Sequence, residues 1–236
     1  MDYQLLCWDT DFFGLKTGKI IPSSLNENHL AEILSSMKQK GFRFVYWPSL
    51  SRCEFDLDKH SGQFVDLKTT FRIDLSKIDL SNYPLPETET YKPSMPISQM
   101  ENLAIQSGSF SRFASDNNIP REKFISLFKI WMRKSISGEM ADEVLVVRNQ
   151  ERIIGMVTLS KEVGKGTIGL IAVDKDFRGK KIGQKLVQDA LRWFVKKNCK
   201  SAKVVTQGVN SIACKLYEKC GFKKISSVHY YHFWLS

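Results

Sequence analysis

The feature of this sequence that most constrains its fold is a basic loop with two glycines, which joins an apolar strand to an amphipathic helix. The predicted strand ends at Val173, the loop runs from Asp176 to Gly183, and the helix continues to about Lys197. The first backbone N–H groups of a helix have no partner within it, and the helix dipole adds positive potential there. Glycine lets a backbone approach a ligand closely. The loop therefore predicts a binding site for a phosphate or pyrophosphate group.

The side chains of the loop favour the same interpretation without deciding it. Arg178, Lys180 and Lys181 add positive charge at the predicted helix start. The sequence has neither the GxGxxG pattern of dinucleotide-binding folds nor the GxxxxGK[ST] pattern of the P-loop. Two glycines in a basic loop also occur in ordinary strand–loop–helix connections, so the loop alone leaves both interpretations open.

Hydrophobic periodicity predicts a mixed α/β arrangement before the loop. A helix is predicted at residues 26–40, where apolar residues recur at helical spacing, followed by a strand at Phe42–Trp47. Two more strands are predicted at Phe64–Asp66 and Thr69–Ile73. These elements form a small α/β unit.

A proline-rich stretch separates this unit from the rest of the chain. Four prolines lie between Asn82 and Pro96, which predicts a linker or a long crossover. We therefore divide the chain into a small N-terminal α/β unit at residues 1–90 and a larger domain at residues 91–236.

The larger domain alternates strands and helices around the glycine loop. Its predicted elements are a helix from Pro120 to Gly138, strands at Val144–Arg148, Ile153–Ser160 and Thr167–Val173, a helix at Gly183–Lys197, a strand at Lys203–Gln207, a helix at Asn210–Cys220, and a hairpin of Phe222–Ser226 and His229–Leu235.

This order of elements and the loop motif resemble the GNAT acetyltransferase superfamily over residues 141–236. The cofactor motif of that family is Arg/Gln-x-x-Gly-x-Gly/Ala, preceded by a strand ending in Val. The sequence fits the motif at Arg178 and Gly183. It departs from the motif at Lys181, where the family usually has glycine.

Two residues downstream strengthen the resemblance. Asn210 stands at the start of the next predicted helix, and Tyr217 follows seven residues later in a Tyr-x-x-x-Gly-Phe ending. The resemblance implies a GNAT acyl-CoA N-acyltransferase fold, with acetyl-CoA as the co-substrate and a primary amine as the acceptor.

The resemblance also implies roles for individual residues. Cofactor binding is implied for Ile171, Ala172, Val173, Arg178, Gly179, Lys180, Lys181, Ile182, Gly183 and Asn210. The strand backbone would pair with the pantetheine arm of coenzyme A, and the loop amides would hold the pyrophosphate. Tyr217 would be the general acid that protonates the leaving thiolate. From spacing alone, a packed core tyrosine is the favoured explanation of Tyr217, and the resemblance reverses that preference.

Three short segments narrow the resemblance to acetyltransferases that act on dTDP-4-amino-4,6-dideoxygalactose, or dTDP-fucosamine. They are residues 8–14, the tripeptide Ser111–Phe113 and the stretch Val204–Asn210. A nucleotide-sugar acceptor is implied, with Arg112 pairing its phosphates and Phe113 stacking on a base or sugar. A surface ion pair and ordinary core packing remain the alternatives for these two residues.

No general base can be assigned from the sequence. Its four histidines are His29, His60, His229 and His232. The last two stand three apart on a predicted strand, so they face opposite sides of it. A structural role is the simpler interpretation for each.

The charge distribution fits an anionic ligand. The net charge is +10, but residues 1–93 carry 11 Lys/Arg against 13 Asp/Glu, whereas residues 94–236 carry 24 against 12. No RRM, KH or zinc pattern accompanies this charge, so we do not expect a nucleic-acid partner. Other acceptors remain open (a protein N-terminus, a lysine, a polyamine), as does a non-catalytic acyl-CoA-binding module.

Targeting and redox signals are weak in this sequence. The first residues lack a basic segment followed by an apolar run, and no stretch reaches membrane-spanning length. Five cysteines without CxxC spacing favour reduced thiols over disulfides or a metal site. We expect a cytoplasmic protein without a membrane partner, and the sequence leaves a homodimer open.

Overall fold

The computed structural model describes residues 2–80 and 84–236, and Asn82 of the predicted linker lies outside them. The strands are β1 (Tyr3–Leu5), β2 (Thr17–Ile20), β3 (Phe44–Ser49), β4 (Gly62–Asp74), β5 (Glu89–Thr90), β6 (Glu143–Asn149), β7 (Arg152–Glu162), β8 (Lys165–Val173), β9 (Ser201–Gln207) and β10 (Lys223–Trp234). The helices are α1 (Cys7–Phe13), α2 (Glu27–Gln39), α3 (Ile97–Ser107), α4 (Arg112–Ser115), α5 (Arg121–Ile136), α6 (Ile182–Lys196) and α7 (Ser211–Lys219).

The strands form one mixed sheet, which confirms the predicted mixed α/β fold class. Its order is β1-β2-β3-β10-β4-β9-β8-β7-β6-β5. Only the pairs β2–β3 and β8–β9 are parallel, and the other neighbours are antiparallel. The last strand in chain order therefore lies inside the sheet, between two strands from the N-terminal third.

Helices cover both faces of the sheet because successive strand residues point to opposite sides. On β6, Leu145 and Val147 join the cluster that contains α6, whereas Val144 and Val146 join the cluster that contains α5. A third cluster packs α2 against the N-terminal strands. The α6 side chain Phe194 is fully buried, and burial of this kind contributes about 1.5–3 kcal/mol per large apolar side chain.

Most local predictions are confirmed, with shifts of a few residues at the ends. The predicted helix at residues 26–40 is α2, which begins after Asn26 because the Asn26 side chain accepts a hydrogen bond from the backbone N–H of His29 at 2.9 Å. The helix predicted from Pro120 is α5, and Pro120 is its N-cap. Helix α3 was not predicted.

The predicted terminal hairpin is wrong. Residues 223–234 form one strand, β10, which pairs with β4 along its whole length and with β3 over its second half. Register shifts near Ser226 and Tyr231 show that the strand bends there rather than turning back. The two strands predicted at Phe64–Asp66 and Thr69–Ile73 are likewise one strand, β4, because pairing with β10 and β9 continues through Leu67 and Lys68.

The predicted boundary at residue 90 stays a prediction. Backbone pairing crosses it, since β4 precedes the boundary and lies between β9 and β10, which follow it. Across the described ranges, no helix is both long and apolar enough to cross a membrane.

Candidate active site

A cleft opens where the parallel strands β8 and β9 separate. Their pairing runs from Lys165 opposite Ser201 to Ile168 opposite Val204, and the described parts of the two strands do not pair beyond this point. Both strands continue for several residues, to Val173 in β8. The second half of β8 therefore presents one edge without a strand partner.

A bulge in β8 accompanies this separation. Gly169 and Leu170 together stand opposite Thr158 of β7, where the register shifts. The Thr158 hydroxyl accepts a hydrogen bond from the Leu170 backbone N–H at 2.8 Å. A Cβ on Gly169 would lie 2.6 Å from that same oxygen, so only glycine fits this position without a shift. Because bulges bend strands, this one directs the end of β8 away from β9.

The cleft has a volume of about 770 Å³, within the range of about 300–1,000 Å³ that small-molecule sites occupy. Residues from β4, β8, β9, α3, α5, α6 and α7 line it, with the loop before α6 and residues 108–113. Nine of the ten predicted cofactor-binding residues lie on its wall: Ile171, Ala172, Val173, Arg178, Gly179, Lys181, Ile182, Gly183 and Asn210. Arg112, Phe113 and Tyr217 lie there as well. Lys180 does not line the cleft, and its Nζ lies 4.9 Å from the centre of the Phe177 ring.

The loop before α6 has the backbone geometry of an anion site. Gly179 has φ +82° and Lys181 has φ 60°, so both adopt the left-handed conformation. Lys181 is the N-cap of α6, and no side chain caps the helix there. The first-turn N–H groups of α6 therefore remain available for a ligand in the cleft.

Lys181 now has a physical explanation. A residue with a Cβ in the left-handed region costs about 1–2 kcal/mol, whereas glycine adopts it freely. The glycine that the sequence resemblance leads one to expect at this position matches the observed φ. The chain accepts the conformational cost and gains a cation at the helix start.

Gly183 is small for a different reason. A Cβ on Gly183 would lie 3.2 Å from Leu216 Cδ2 of α7. The missing side chain thus lets α6 and α7 approach each other at the cleft. Arg178 lies at the opposite end of the loop, where its Nε donates to the carbonyl oxygen of Val173 at 3.2 Å.

Gln106 of α3 is a positioning residue that the sequence did not reveal. Its side-chain oxygen accepts a hydrogen bond from the backbone N–H of Lys175 at 2.9 Å and lies 3.5 Å from an Arg178 nitrogen. It therefore ties α3 to the connection between β8 and α6. A glutamine in an unpredicted helix gives no sequence signal for this contact.

Tyr217 is held in the wall of the cleft by α7. Asn210 begins that helix, and its side-chain oxygen accepts a hydrogen bond from the Ala213 backbone N–H at 3.1 Å. Tyr217 is 2% exposed and packs against Phe71 and Phe222. Burial raises its pKa above the ordinary value of about 10, so the phenol keeps its proton at neutral pH.

The Tyr217 hydroxyl forms no hydrogen bond with a residue that the structure describes, although the side chain lines the cleft. A protonated phenol without an internal partner can donate to a ligand group. Tyr217 is both a core residue and a cleft residue, so the two interpretations of it are compatible.

Arg112 lies in a cage of aromatic rings at the other side of the cleft. Its guanidinium carbon is 4.6 Å from the ring centres of Tyr46 and Phe113 and 4.8 Å from that of Tyr230. Cation–π contacts of this kind hold a guanidinium in place. Its Nε is buried without a hydrogen-bond partner among the described residues. Phe113 is itself buried in the α5-side cluster.

The two histidines of β10 do not line the cleft. His232 is buried, and its Nδ1 lies 2.7 Å from a carboxylate oxygen of Asp116. Burial lowers the His232 pKa to about 4 despite this partner. The neutral His232 therefore fits the structural role that the sequence favoured.

Asp66 is a second cleft residue that sequence reasoning missed. It lies on β4, is 7% exposed, and has one carboxylate oxygen, Oδ1, buried without a hydrogen-bond partner among the described residues. Burial raises its pKa to about 7, although Arg112 and Lys68 act in the opposite direction. The available signal was an aspartate inside an apolar strand pattern, between Val65 and Leu67.

Comparison with known proteins supports the class of protein that this fold and cleft suggest. Residues 109–222 match the family model described as the Acetyltransferase (GNAT) family, a segment slightly under half of the 236-residue chain. A GCN5-related N-acetyltransferase from Sphaerobacter thermophilus has the same fold, with a TM-score of 0.61, 14% identity, and coverage of 99% of this chain and 76% of that one. Residues 109–222 are thus similar to the GNAT acetyltransferase family, and the structural neighbour shows that the whole chain has the fold of a GCN5-related N-acetyltransferase.

Individual relatives differ in the activity that their names state. The spore coat polysaccharide biosynthesis protein SpsD of Bacillus subtilis (strain 168) is 30% identical over 132 residues, which is 56% of this chain. That match spans 45% of the SpsD length, so the chain corresponds to about half of it. N-alpha-acetyltransferase 30 of Dictyostelium discoideum is 25% identical over 148 residues, or 61% of this chain and 79% of that protein.

Proposed function

We propose that this chain transfers the acetyl group of acetyl-CoA to a primary amine, and that the acceptor is the amino group of a nucleotide-linked amino-deoxy sugar. One observation carries the proposal: the open edge of β8, the uncapped start of α6 and the Tyr217 phenol line one cleft.

The groups that line the cleft match the chemistry of coenzyme A. The edge of β8 from Ile171 to Val173 can pair with the amides of the pantetheine arm, as an added strand would. The amides from Gly179 to Gly183 can bind the pyrophosphate, and Lys181 and Arg178 can compensate its charge. Acetyl-CoA supplies an acetyl group as a thioester, which is activated for attack by an amine.

Tyr217 has the protonation state that a general acid needs. The nitrogen of the acceptor forms the new bond to the acetyl carbon and passes one proton to water. The carbon–sulfur bond breaks with its electron pair on sulfur, and the sulfur takes the phenolic proton. Because the raised pKa of Tyr217 makes the phenolate unfavourable, we expect it to regain a proton at once.

A nucleotide-sugar acceptor fits the other side of the cleft. Arg112 is held by three rings and lines the cleft, so its guanidinium can donate to a phosphate. The basic excess of residues 94–236 favours an anionic acceptor over a polyamine. The similarity to a polysaccharide biosynthesis protein supports an acceptor of carbohydrate type.

A protein N-terminus is the second candidate acceptor. The similarity to N-alpha-acetyltransferase 30 favours it, and that match covers more of this chain than the SpsD match does. A peptide acceptor does not account for the Arg112 cage. We therefore place it second.

Release of free thiol from acetyl-CoA separates these acceptors. The panel comprises dTDP-4-amino-4,6-dideoxy sugars, UDP-linked amino sugars, peptides with free N-termini and polyamines. We expect kcat/KM to be at least tenfold higher for a nucleotide-linked amino sugar than for any peptide. Turnover of peptides or polyamines alone would contradict the sugar acceptor. If acetyl-CoA does not raise the melting temperature of the protein, the proposal of an acetyl-CoA-dependent enzyme is wrong.

A cytoplasmic location and a homodimer stay predictions. The first is compatible with the use of acetyl-CoA, and the second is tested by sedimentation of the purified chain.

A further inference from the structure

Asp66 lies on β4 in the wall of the cleft. It lies two residues before Lys68, the first residue of β4 that pairs with β9, where Lys68 stands opposite Gln207. Between them, the Leu67 carbonyl accepts a hydrogen bond from the Gly208 backbone N–H at 2.7 Å. Gly208 leads into Asn210 and α7, the helix that carries Tyr217. Asp66 is therefore close to the segment between β9 and α7, and α7 carries Tyr217, the proposed general acid. Both residues line the same cleft.

The fold leaves this carboxylate without the donors that a buried carboxylate needs. Its Oδ1 is buried and has no hydrogen-bond partner within residues 2–80 and 84–236. Buried polar atoms are normally paired, so an unpaired one at a cleft is a candidate acceptor for a donor group of a ligand. The charged and titratable groups that face Asp66 are Lys68 on its own strand, Arg112 on α4 and Tyr230, its register partner on β10.

None of these three groups donates a hydrogen bond to Oδ1 of Asp66. The Arg112 guanidinium and the Lys68 ammonium both lie against the Tyr230 ring, at 4.8 and 5.7 Å from its centre. Neither forms an ion pair with Asp66 in the part of the chain that the structure describes. An incoming cationic donor would satisfy the free oxygen. A protonated primary amine has that chemistry.

We infer that Asp66 is a catalytic residue of the proposed reaction, and that its carboxylate binds the ammonium group of the acceptor and removes one proton from it. The inference rests on the proposed function and adds the base that the sequence did not reveal. In this step one N–H bond of the ammonium breaks, its electron pair stays on nitrogen as the attacking lone pair, and the proton moves to a carboxylate oxygen. Asp66 then releases the proton to water.

The acidity of Asp66 suits this step. Burial raises its pKa to about 7, so the carboxylate is a stronger base than an exposed aspartate and still ionises near neutral pH. Lys68 and Arg112 keep the ionised form accessible.

The kinetic test compares Asp66→Asn with Asp74→Asn, a matched change at the exposed end of the same strand. With the best acceptor of the panel at pH 7, we expect kcat/KM of Asp66→Asn to fall about 100-fold or more. The loss should shrink as the pH approaches the pKa of the acceptor amine, because more of the amine is then already neutral. Asp74→Asn should keep the activity of the wild type. A loss of less than about threefold for Asp66→Asn, or a loss that does not change with pH, would overturn the base role.

A binding measurement tests the contact independently of turnover. In the presence of coenzyme A, Asp66→Asn should bind the amino-sugar nucleotide at least tenfold more weakly than the wild type does. The variant and the wild type should bind the corresponding hydroxy-sugar nucleotide with equal affinity. Equal weakening for both ligands, or for neither, would contradict an ammonium contact. If the wild type binds the amino sugar with this selectivity but never releases thiol, the proposed function fails while the contact stands.

Discussion

The Thr158 hydroxyl accepts a hydrogen bond from the Leu170 backbone N–H at 2.8 Å, and this bond stands at the bulge where β8 leaves β9. The Thr158 side chain on β7 thus replaces the backbone partner that the Leu170 N–H on β8 lacks at the bulge. Thr158 is buried, so water cannot replace it. The opening of the cleft therefore depends on a residue that lies outside the glycine loop.

Replacing Thr158 by valine tests this dependence. Thr158→Val keeps the shape but leaves the Leu170 N–H unpaired, so we expect a loss of about 1–3 kcal/mol in the free energy of unfolding. Denaturant titration measures it, and Thr167→Val on β8 is the control. An unchanged unfolding free energy would show that the bulge does not need the hydroxyl.

Lys181 should tolerate glycine but not a β-branched residue. Its φ of 60° costs a residue with a Cβ about 1–2 kcal/mol, and glycine loses about 0.5–1 kcal/mol in conformational entropy. We expect Lys181→Gly to match or exceed the wild type in thermal stability and Lys181→Val to fall below it. Lys180→Gly, at a position without positive φ, should be less stable than the wild type. Equal melting temperatures for Lys181→Gly and Lys181→Val would contradict the observed geometry.

Tyr217→Phe should separate catalysis from cofactor binding. Loss of the phenolic proton should lower kcat by about 10²–10⁴-fold, while acetyl-CoA still stabilises the protein against heat. Because burial raises the Tyr217 pKa, we expect wild-type activity to persist at pH 9, where an exposed phenol would begin to ionise. A variant that retains full kcat would remove Tyr217 from the mechanism.

Arg112→Lys should weaken binding of the acceptor and leave binding of acetyl-CoA unchanged. A lysine keeps the charge but loses the planar group that the three rings hold, so we expect roughly a tenfold rise in KM for a nucleotide sugar. Arg121→Lys, whose guanidinium lies on the single ring of Phe124, is the control. An unchanged KM would mean that Arg112 acts only in packing.

His232 should make the protein less stable towards acid. Its pKa in the folded state is lowered to about 4 from an ordinary value of about 6.5, so the unfolded chain binds more protons between these values. The stability from neutral His232 is present above pH 6.5 and is lost as the pH falls to 4, by on the order of 3 kcal/mol. His232→Gln should flatten this part of the stability–pH curve, whatever its absolute stability. A curve parallel to the wild type would contradict the buried, neutral histidine.

The sequence was sufficient for elements whose signals are local. The apolar stripe of α6, the Asn210 cap of α7 and the strand before the loop could all be read from neighbouring residues. Lys181 stood out for the same reason, although only the backbone angle explains why glycine is usual there.

Features that depend on distant pairing could not be read in this way. Helix α3 has no side-chain cap, and nothing in its composition shows that Gln106 will reach the loop 69 residues further on. Asp66 becomes a cleft residue only because β4 pairs with β9 and β10. An aspartate in an apolar strand can serve many purposes, and its neighbours across the sheet decide which.

The place of β10 between β3 and β4 has a consequence for how the chain folds. About 150 residues separate β4 from β10, the strand that lies between β3 and β4 in the sheet. This part of the sheet therefore forms only through contacts between residues far apart in sequence. Such contacts are slow to form. During synthesis, β10 must be translated before Asp66 on β4 can pair with Tyr230. The acceptor side of the cleft is therefore expected to assemble last, after the glycine loop and α6 have already been made.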